Sequence, residues 1–272
     1  GPPGLIPVGG SYTVSVWAKQ DNFIPGQLKN IIAQGRKFYI GQYVNDTIRV
    51  GDGWYATGVP WPTDTLWHNY AVVRTDTNTY LYLDGVLRGT AGYGIPVPGT
   101  SPPSDTVGAF YLGSQWVPGA ELFDGSLDEI RIWNKALTGA EILENLNCEI
   151  TYARPGLVAA YNFNQGVDGE DNSNVTSLAD ASGNGDNLSL MNFALTGNSS
   201  NWVRPGAVVT GVECCNLSVT ASAGDTLYVC TENGGSLTGN VSLIIENGTA
   251  PYTITGSDTT NLVDGFYTYY VT

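Results

Sequence analysis

The chain has 272 residues, among them 35 Gly and 14 Pro, with 13% charged side chains and a net charge of −14. So many breakers exclude a helical bundle and, without a G-X-Y period, exclude collagen; they mark turns. The acidity argues against a nucleic-acid partner and against docking on anionic lipid.

In chain order, the first two thirds read as short strands separated by Gly, Pro and Asn turns. Tyr12 to Lys19 alternates apolar and polar residues, the period of a half-buried strand. Strands are expected at Asn30–Gln34, Lys37–Val44, Thr47–Val50, Leu66–Arg74 and Thr79–Leu83. Asp84-Gly85 then turns the chain into Val86-Leu87 as a two-residue hairpin, because both residue types tolerate positive φ. Residues 92–105, with four prolines, form a surface loop. One helix is expected over Gly139–Asn147, with Thr138 and Glu141 as a capping box. Residues 164–187 are a loop by composition. After Pro205, Asn216–Ala221, Thr226–Cys230, Val241–Glu246, Tyr252–Thr255 and Phe266–Val271 read as five further strands.

Charge also divides the chain, though earlier, after Arg154. Residues 1–154 hold 14 acids and 10 bases, net −4; residues 155–272 hold 11 acids and one base, net −10. The expected fold is all-β: a jelly-roll β-sandwich over 1–205, with 148–205 as its closing segment, and a small, incomplete Ig-like sandwich over 206–272. None of the four cysteines forms a C-x-x-C pair. Adjacent Cys214 and Cys215 fit a mutual disulfide poorly. The simplest scheme therefore ties Cys148 to one of them and Cys230 to the other. Disulfides imply an oxidising, extracellular setting, and no apolar run is long enough to span a bilayer. The abrupt start at Gly1-Pro2-Pro3-Gly4 and the end within a strand read as a piece of a longer protein.

Several motifs are specific. Ser11 to Lys19 (SYTVSVWAK), Trp67 to Val73 (WHNYAVV) and Leu81 to Leu87 (LYLDGVL) resemble the strands of a laminin-G-like, concanavalin A-type jelly roll. The strongest piece is Phe123 to Trp133 (FDGSLDEIRIW), followed by Asn134 to Ile142 (NKALTGAEI). Gly156 to Phe163, with Asp180 to Gly185 (DASGNG), resembles a segment that often follows this jelly roll in surface proteins of gliding Bacteroidetes, and also the opening strand of other members. In the tail, Gly248 to Thr253 and Asn261 to Thr268 resemble the repeat of SprB-type gliding adhesins of Bacteroidetes. These resemblances imply a secreted, modular cell-surface adhesin, a type IX secretion cargo. Its implied partners are a glycan or surface polysaccharide, neighbouring domains, and the secretion or gliding machinery. A structural spacer is the alternative.

Catalysis is not expected. Asp128 and Glu129 are adjacent, so on a strand they point to opposite faces and cannot flank one glycosidic bond. His68 is the only histidine, which excludes a His-based triad and a two-His metal site; it reads as a structural strand residue. The resemblance implies calcium as a cofactor, held by hard oxygen ligands. The candidates are Asp128, Asp180 and Asn184, with Asp168, Glu170 and Asp171 as further options. Sugar binding calls for aromatics that stack on a pyranose with polar groups beside them. Asp52, Trp54, Tyr55, Trp61 and Trp116 are the candidates, while Trp17, Trp67 and Trp133 read as core. Asp-Thr pairs resembling the O-glycosylation motif of exported Bacteroidetes proteins mark Thr47, Thr65, Thr106, Thr226 and Thr259.

Overall fold

A computed structural model describes residues 1–7, 10–35, 37–52, 55–92, 108–115 and 119–214, and short strands beyond them. The chain forms two compact units, Gly1–Gly211 and Val212–Thr272.

In the first unit the strands are β1 (Tyr12–Gln20), β2 (Lys29–Gln34), β3 (Phe38–Gln42), β4 (Thr47–Asp52), β5 (Tyr55–Pro60) and β6 (His68–Arg74). They continue with β7 (Asn78–Leu83), β8 (Val86–Gly92), β9 (Phe110–Leu112) and β10 (Gly125–Trp133). Helix α1 (Gly139–Glu144), β11 (Leu157–Tyr161), β12 (Ser177–Leu178) and β13 (Leu188–Ser189) complete the unit. A six-stranded sheet runs β11-β10-β1-β6-β7-β8 and a five-stranded sheet runs β5-β4-β3-β2-β9. Alternation aims Val14, Val16, Tyr70, Val72, Ile130 and Ile132 of one sheet, and Ile32, Phe38, Ile40, Ile48 and Val50 of the other, into one buried core. The two sheets thus pack as a sandwich. The expected closing segment takes its place in it, since β11 pairs antiparallel with β10.

The hairpin signal holds: Asp84 (φ 52°) and Gly85 (φ 73°) both take positive φ between β7 and β8, the form whose twist matches paired strands. The expected capping box also forms, with Glu141 N donating to Thr138 Oγ1 (3.2 Å) and Thr138 N to Glu141 Oε2 (2.7 Å). The helix stops at Glu144, three residues short of the expected end, where the Asn145 N–H caps it. Four strands of this unit were not expected: β5, β9, and the two-residue β12 and β13, of which β12 falls in the segment read as loop. β5 contains Gly58 and Pro60, which a sheet tolerates because β5 is an edge. β9 spans three residues, too few to show a period.

Segment 134–154 covers the outer face of the six-stranded sheet. Trp17 Nε1 donates to Leu146 O (2.9 Å), and Thr13 Oγ1 donates to Lys135 O while accepting from Leu137 N. Trp17 and Trp133 are buried there, beneath this segment rather than between the sheets. Residues 206–211 belong with this unit: Ala207 N donates to Asp128 Oδ2 (2.8 Å) and Gly211 N to Glu149 Oε2 (2.9 Å).

In the second unit, β14 (Thr220–Ala221) pairs with β16 (Ile244–Ile245), and β15 (Leu227–Val229) with β18 (Gly265–Tyr267). β17 (Ile254–Gly256) pairs with β19 (Tyr269–Val271). No helix among the described residues is long and apolar enough to cross a membrane. Cys148 and Cys214 are each disulfide-bonded; Cys215 and Cys230 lie outside the described residues.

Candidate functional site

On β4, Ile48 and Val50 face the core, so Arg49 between them projects from the opposite face of the five-stranded sheet. The same alternation on β3 puts Tyr39 and Gly41 on that outer face. In register, Arg49 lies opposite Gly41, and Gly41 opposite Asn30 of β2. Gly41 presents no side chain, so Arg49 Nη2 reaches across it to Asn30 Oδ1 at 2.7 Å. A Cβ on Gly41 would stand 3.0 Å from that same oxygen and 2.0 Å from Lys29 O.

The loop before β10 completes this cluster. Glu121 accepts from Arg49 Nη2 and Asn30 Nδ2 at Oε2, both at 2.6 Å, and from Gln115 Nε2 at Oε1, at 2.7 Å. Its φ is +50°, a left-handed conformation that costs a non-glycine residue energy and persists only where neighbours over-determine it. Here three side-chain donors and the Asn30 N–H, which donates to Glu121 O at 2.9 Å, supply that determination. The Arg49 guanidinium also stacks 4.6 Å over the Tyr39 ring. Arg49 is fully buried, while the Glu121 side chain keeps 14% exposure. This polar network escaped sequence reading. Its one local trace is a lone Arg between the core residues Ile48 and Val50 of β4.

The expected sugar-stacking residues distribute unevenly. Asp52 closes β4 and Tyr55 opens β5. Trp54 and Trp116 lie outside the described residues; in sequence, Trp54 sits in the β4–β5 connection and Trp116 directly follows Gln115. Trp61 is a correction. It is 2% exposed, stacks on Tyr70 at 5.4 Å, and donates its indole N–H to Gln20 Oε1 at 2.9 Å. It therefore packs as core at the sandwich rim, although the flanking prolines read as exposed loop.

The expected calcium ligands are also engaged otherwise. Asp128 accepts from Glu129 N at Oδ1 and from Ala207 N and Val208 N at Oδ2. Asp180 accepts from Ala160 N and Ser182 N at Oδ1, and from Ser182 Oγ and Asp186 N at Oδ2. Burial pushes the Asp180 carboxyl up, but these hydrogen bonds outweigh it and hold the carboxyl below its usual range. Asn184 turns its amide nitrogen to the carbonyls of Leu157 and Val158. Backbone and hydroxyl donors thus hold both carboxylates, and the amide nitrogen anchors Asn184. Among the described residues no group of three or more His, Cys, Asp or Glu side chains could hold a metal. Asp168 accepts from Arg204 N, and Asp171 from Ser173 N.

Two other ionisable clusters are built into the frame. Glu129, 1% exposed, pairs with buried Arg131 at 2.8 Å. Burial pushes the Glu129 carboxyl up to about 8 and lowers the Arg131 guanidinium. Arg131 also donates to the carbonyls of Asn145 and Cys148, tying the end of the helix to β10. Neither Asp128 nor Glu129 is open to a substrate. His68 bridges Asp84 (Nδ1, 2.8 Å) and Asp64 (Nε2, 3.0 Å), and the Asp84 hydrogen bond leads in raising its pKa above 6.5. Of the Asp-Thr positions, Thr65 is exposed, and Thr47 is half-buried with its hydroxyl on Asn45 Oδ1. Thr106, Thr226 and Thr259 lie outside the described residues.

Comparison with known proteins adds the following. The model of the Laminin_G_3 family, described as the concanavalin A-like lectin/glucanases superfamily, matches residues 2–143, just over half the chain. No curated protein matches. Among solved structures, the chain is similar to a Bacteroides ovatus protein provisionally assigned to carbohydrate binding. Their identity is 22% and the TM-score 0.51, over 67% of this chain and 53% of that one. It is similar to domain 4 of AbnA, a GH43 extracellular arabinanase from Geobacillus stearothermophilus solved with arabinotriose (24% identity, TM-score 0.41, 53% of this chain and 69% of that one). It is also similar to Trypanosoma rangeli sialidase (20% identity, TM-score 0.36, 49% of this chain and 22% of that one). The chain thus spans about half the length of the Bacteroides ovatus protein and less of the sialidase.

Proposed function

Since the chain belongs to the concanavalin A-like lectin/glucanase superfamily, we propose that its first unit is a non-catalytic carbohydrate-binding module. We assign it to a secreted adhesin of the cell surface. The observation that carries this reading is the family match over residues 2–143, which covers the strands of the sandwich up to the helix. The buried Arg49–Asn30–Glu121–Gln115 network stiffens the outer face of the five-stranded sheet, and two candidate tryptophans lie beside it in sequence, Trp54 after β4 and Trp116 after Gln115. Sugar sites use an aromatic for the pyranose C–H face, the role this reading gives to Trp54 and Trp116. The Bacteroides ovatus protein's provisional assignment agrees with this reading.

The burial of the adjacent acids Asp128 and Glu129 supports the non-catalytic part of the reading. Disulfide-bonded Cys148 and Cys214 support an oxidising, extracellular compartment. The tail's resemblance to SprB-type repeats supports type IX export and contacts with neighbouring repeats or the gliding machinery. Intact-mass measurement of native protein would find glycan mass if the Asp-Thr sites are used, beginning with exposed Thr65. The binding reading is tested by titrating the full chain with oligosaccharides. Saturable binding that falls at least tenfold in Trp54→Ala or Trp116→Ala supports it; binding to no saccharide overturns it.

A further inference from the structure

The two sheets end on the same side of the sandwich in β5 and β8, each paired along one edge only. Between them opens a cleft of about 450 Å³, within the size range of small-ligand sites, lined by Thr57, Gly58, Val59, Pro60, Leu83 and Arg88. Two glycines shape it. Gly89 lets β8 approach β5, since a Cβ there would lie 3.0 Å from Val59 Cγ2. Gly58, at φ +71°, has nothing within 4 Å of its Cβ position, so the space above it is open.

The cleft has an apolar floor of Val59, Pro60 and Leu83 and a single charge, exposed Arg88. Several other cations of the unit are committed: Arg49 to Glu121, Arg131 to Glu129, Lys135 to Glu141, and Lys29 to the Asn22 carbonyl. Among the described residues Arg88 makes no hydrogen bond or ion pair. Asp84, at the tip of the same hairpin, gives its hydrogen bonds to His68 Nδ1 and Asn69 N and meets Arg88 only through a longer-range attraction that helps lower the Asp84 carboxyl. A guanidinium with its N–H groups unspent beside an apolar floor is a fork for a carboxylate whose carrier has a C–H face. The edge strands beside it present the unpaired backbone donors and acceptors that strand edges carry, suited to hydroxyls.

We propose that the β5–β8 cleft is a second saccharide subsite, for an acidic sugar residue whose carboxylate pairs with Arg88. This rests on the carbohydrate-binding reading above and adds to it a location and a charge class. The chain's net −14 does not oppose it, since residues 1–154 carry only −4 and charges beyond about 8 Å are screened at physiological salt.

The test is titration of the full chain with oligogalacturonate, a sulfated oligosaccharide and a neutral oligosaccharide of equal length. Each is run against wild type, Arg88→Ala and Arg88→Lys, with melting temperature as the folding control. The expected result is that oligogalacturonate binds wild type, loses at least tenfold in Arg88→Ala, keeps part of that affinity in Arg88→Lys, and weakens with added salt. Neutral-sugar affinity stays the same in all three proteins. Saccharide binding that is unchanged by Arg88→Ala overturns the subsite and leaves the carbohydrate reading standing. Arg88-dependent binding of the sulfated ligand alone overturns the carboxylate assignment. Binding of no saccharide at all removes both readings.

Discussion

Arg49 Nη2 and Glu121 Oε2 meet at 2.6 Å, a fully buried guanidinium on a strand against a carboxylate on a loop 72 residues away in sequence. The pair ties β4 to the loop before β10, and Glu121 holds a left-handed backbone to make it. Removing one partner leaves the other charge buried without compensation, at a cost of about 3–5 kcal/mol. Glu121→Ala should therefore lower stability in urea by that order. Arg49→Met combined with Glu121→Gln should recover part of the loss, because no uncompensated charge remains. Equal destabilisation in single and double variants would show that the pair does not act as a unit.

Trp61 and the loop tryptophans should separate cleanly. Trp61→Ala opens a cavity beside Tyr70 and frees Gln20 Oε1, for a loss of about 3–5 kcal/mol. Trp54→Ala and Trp116→Ala should leave chemical denaturation midpoints nearly unchanged while reducing saccharide affinity. If Trp61→Ala melted like wild type, its place in the core would be contradicted.

His68 gives a pH signature. Its pKa is raised in the fold, chiefly by the hydrogen bond to Asp84. That stabilisation is full below the unfolded value near 6.5 and is lost as pH rises through the higher folded value. Asp84 and Asp64 are both lowered, so their contribution is present above the unfolded carboxylate value near 4 and is lost as pH falls through the folded ones. Burial cancels part of the effect for Asp84. Relative to His68→Gln, wild type should gain most melting temperature near pH 5.5 and lose the advantage by about pH 8.5. Glu129 also titrates in this range, so the comparison is between the two proteins in the same buffer. A constant difference across that range would contradict the bridge.

Calcium should make no difference to the first unit's melting. Asp128 and Asp180 already have every carboxylate oxygen hydrogen-bonded. Thermal scans of the full chain in calcium and in chelator should coincide, and a chelator-dependent fall would reopen these residues as ligands.

How much was legible follows from what each feature depends on. β1 and the Asp84-Gly85 turn were readable because two-residue alternation and positive-φ tolerance are local properties. The Thr138–Glu141 box spans three residues and was equally plain. Trp61 was misread because its neighbours Pro60 and Pro62 describe the backbone path, while its side chain turns inward onto Tyr70. The Arg49–Glu121 network and the β5–β8 cleft are set by strand order, which no local pattern encodes. Asp128 and Asp180 were legible as special residues, but whether an Asp meets a cation or backbone N–H groups depends on where residues 160 and 207 come to rest.

The most direct test of the carbohydrate-binding reading is calorimetric titration of the full chain, wild type and the Trp54→Ala/Trp116→Ala double variant, with a panel of neutral and acidic oligosaccharides. The account predicts saturable binding by wild type to at least one saccharide, and at least tenfold weaker binding by a double variant that melts at the same temperature. Absence of binding across the panel, or equal affinity in the two proteins, would contradict it.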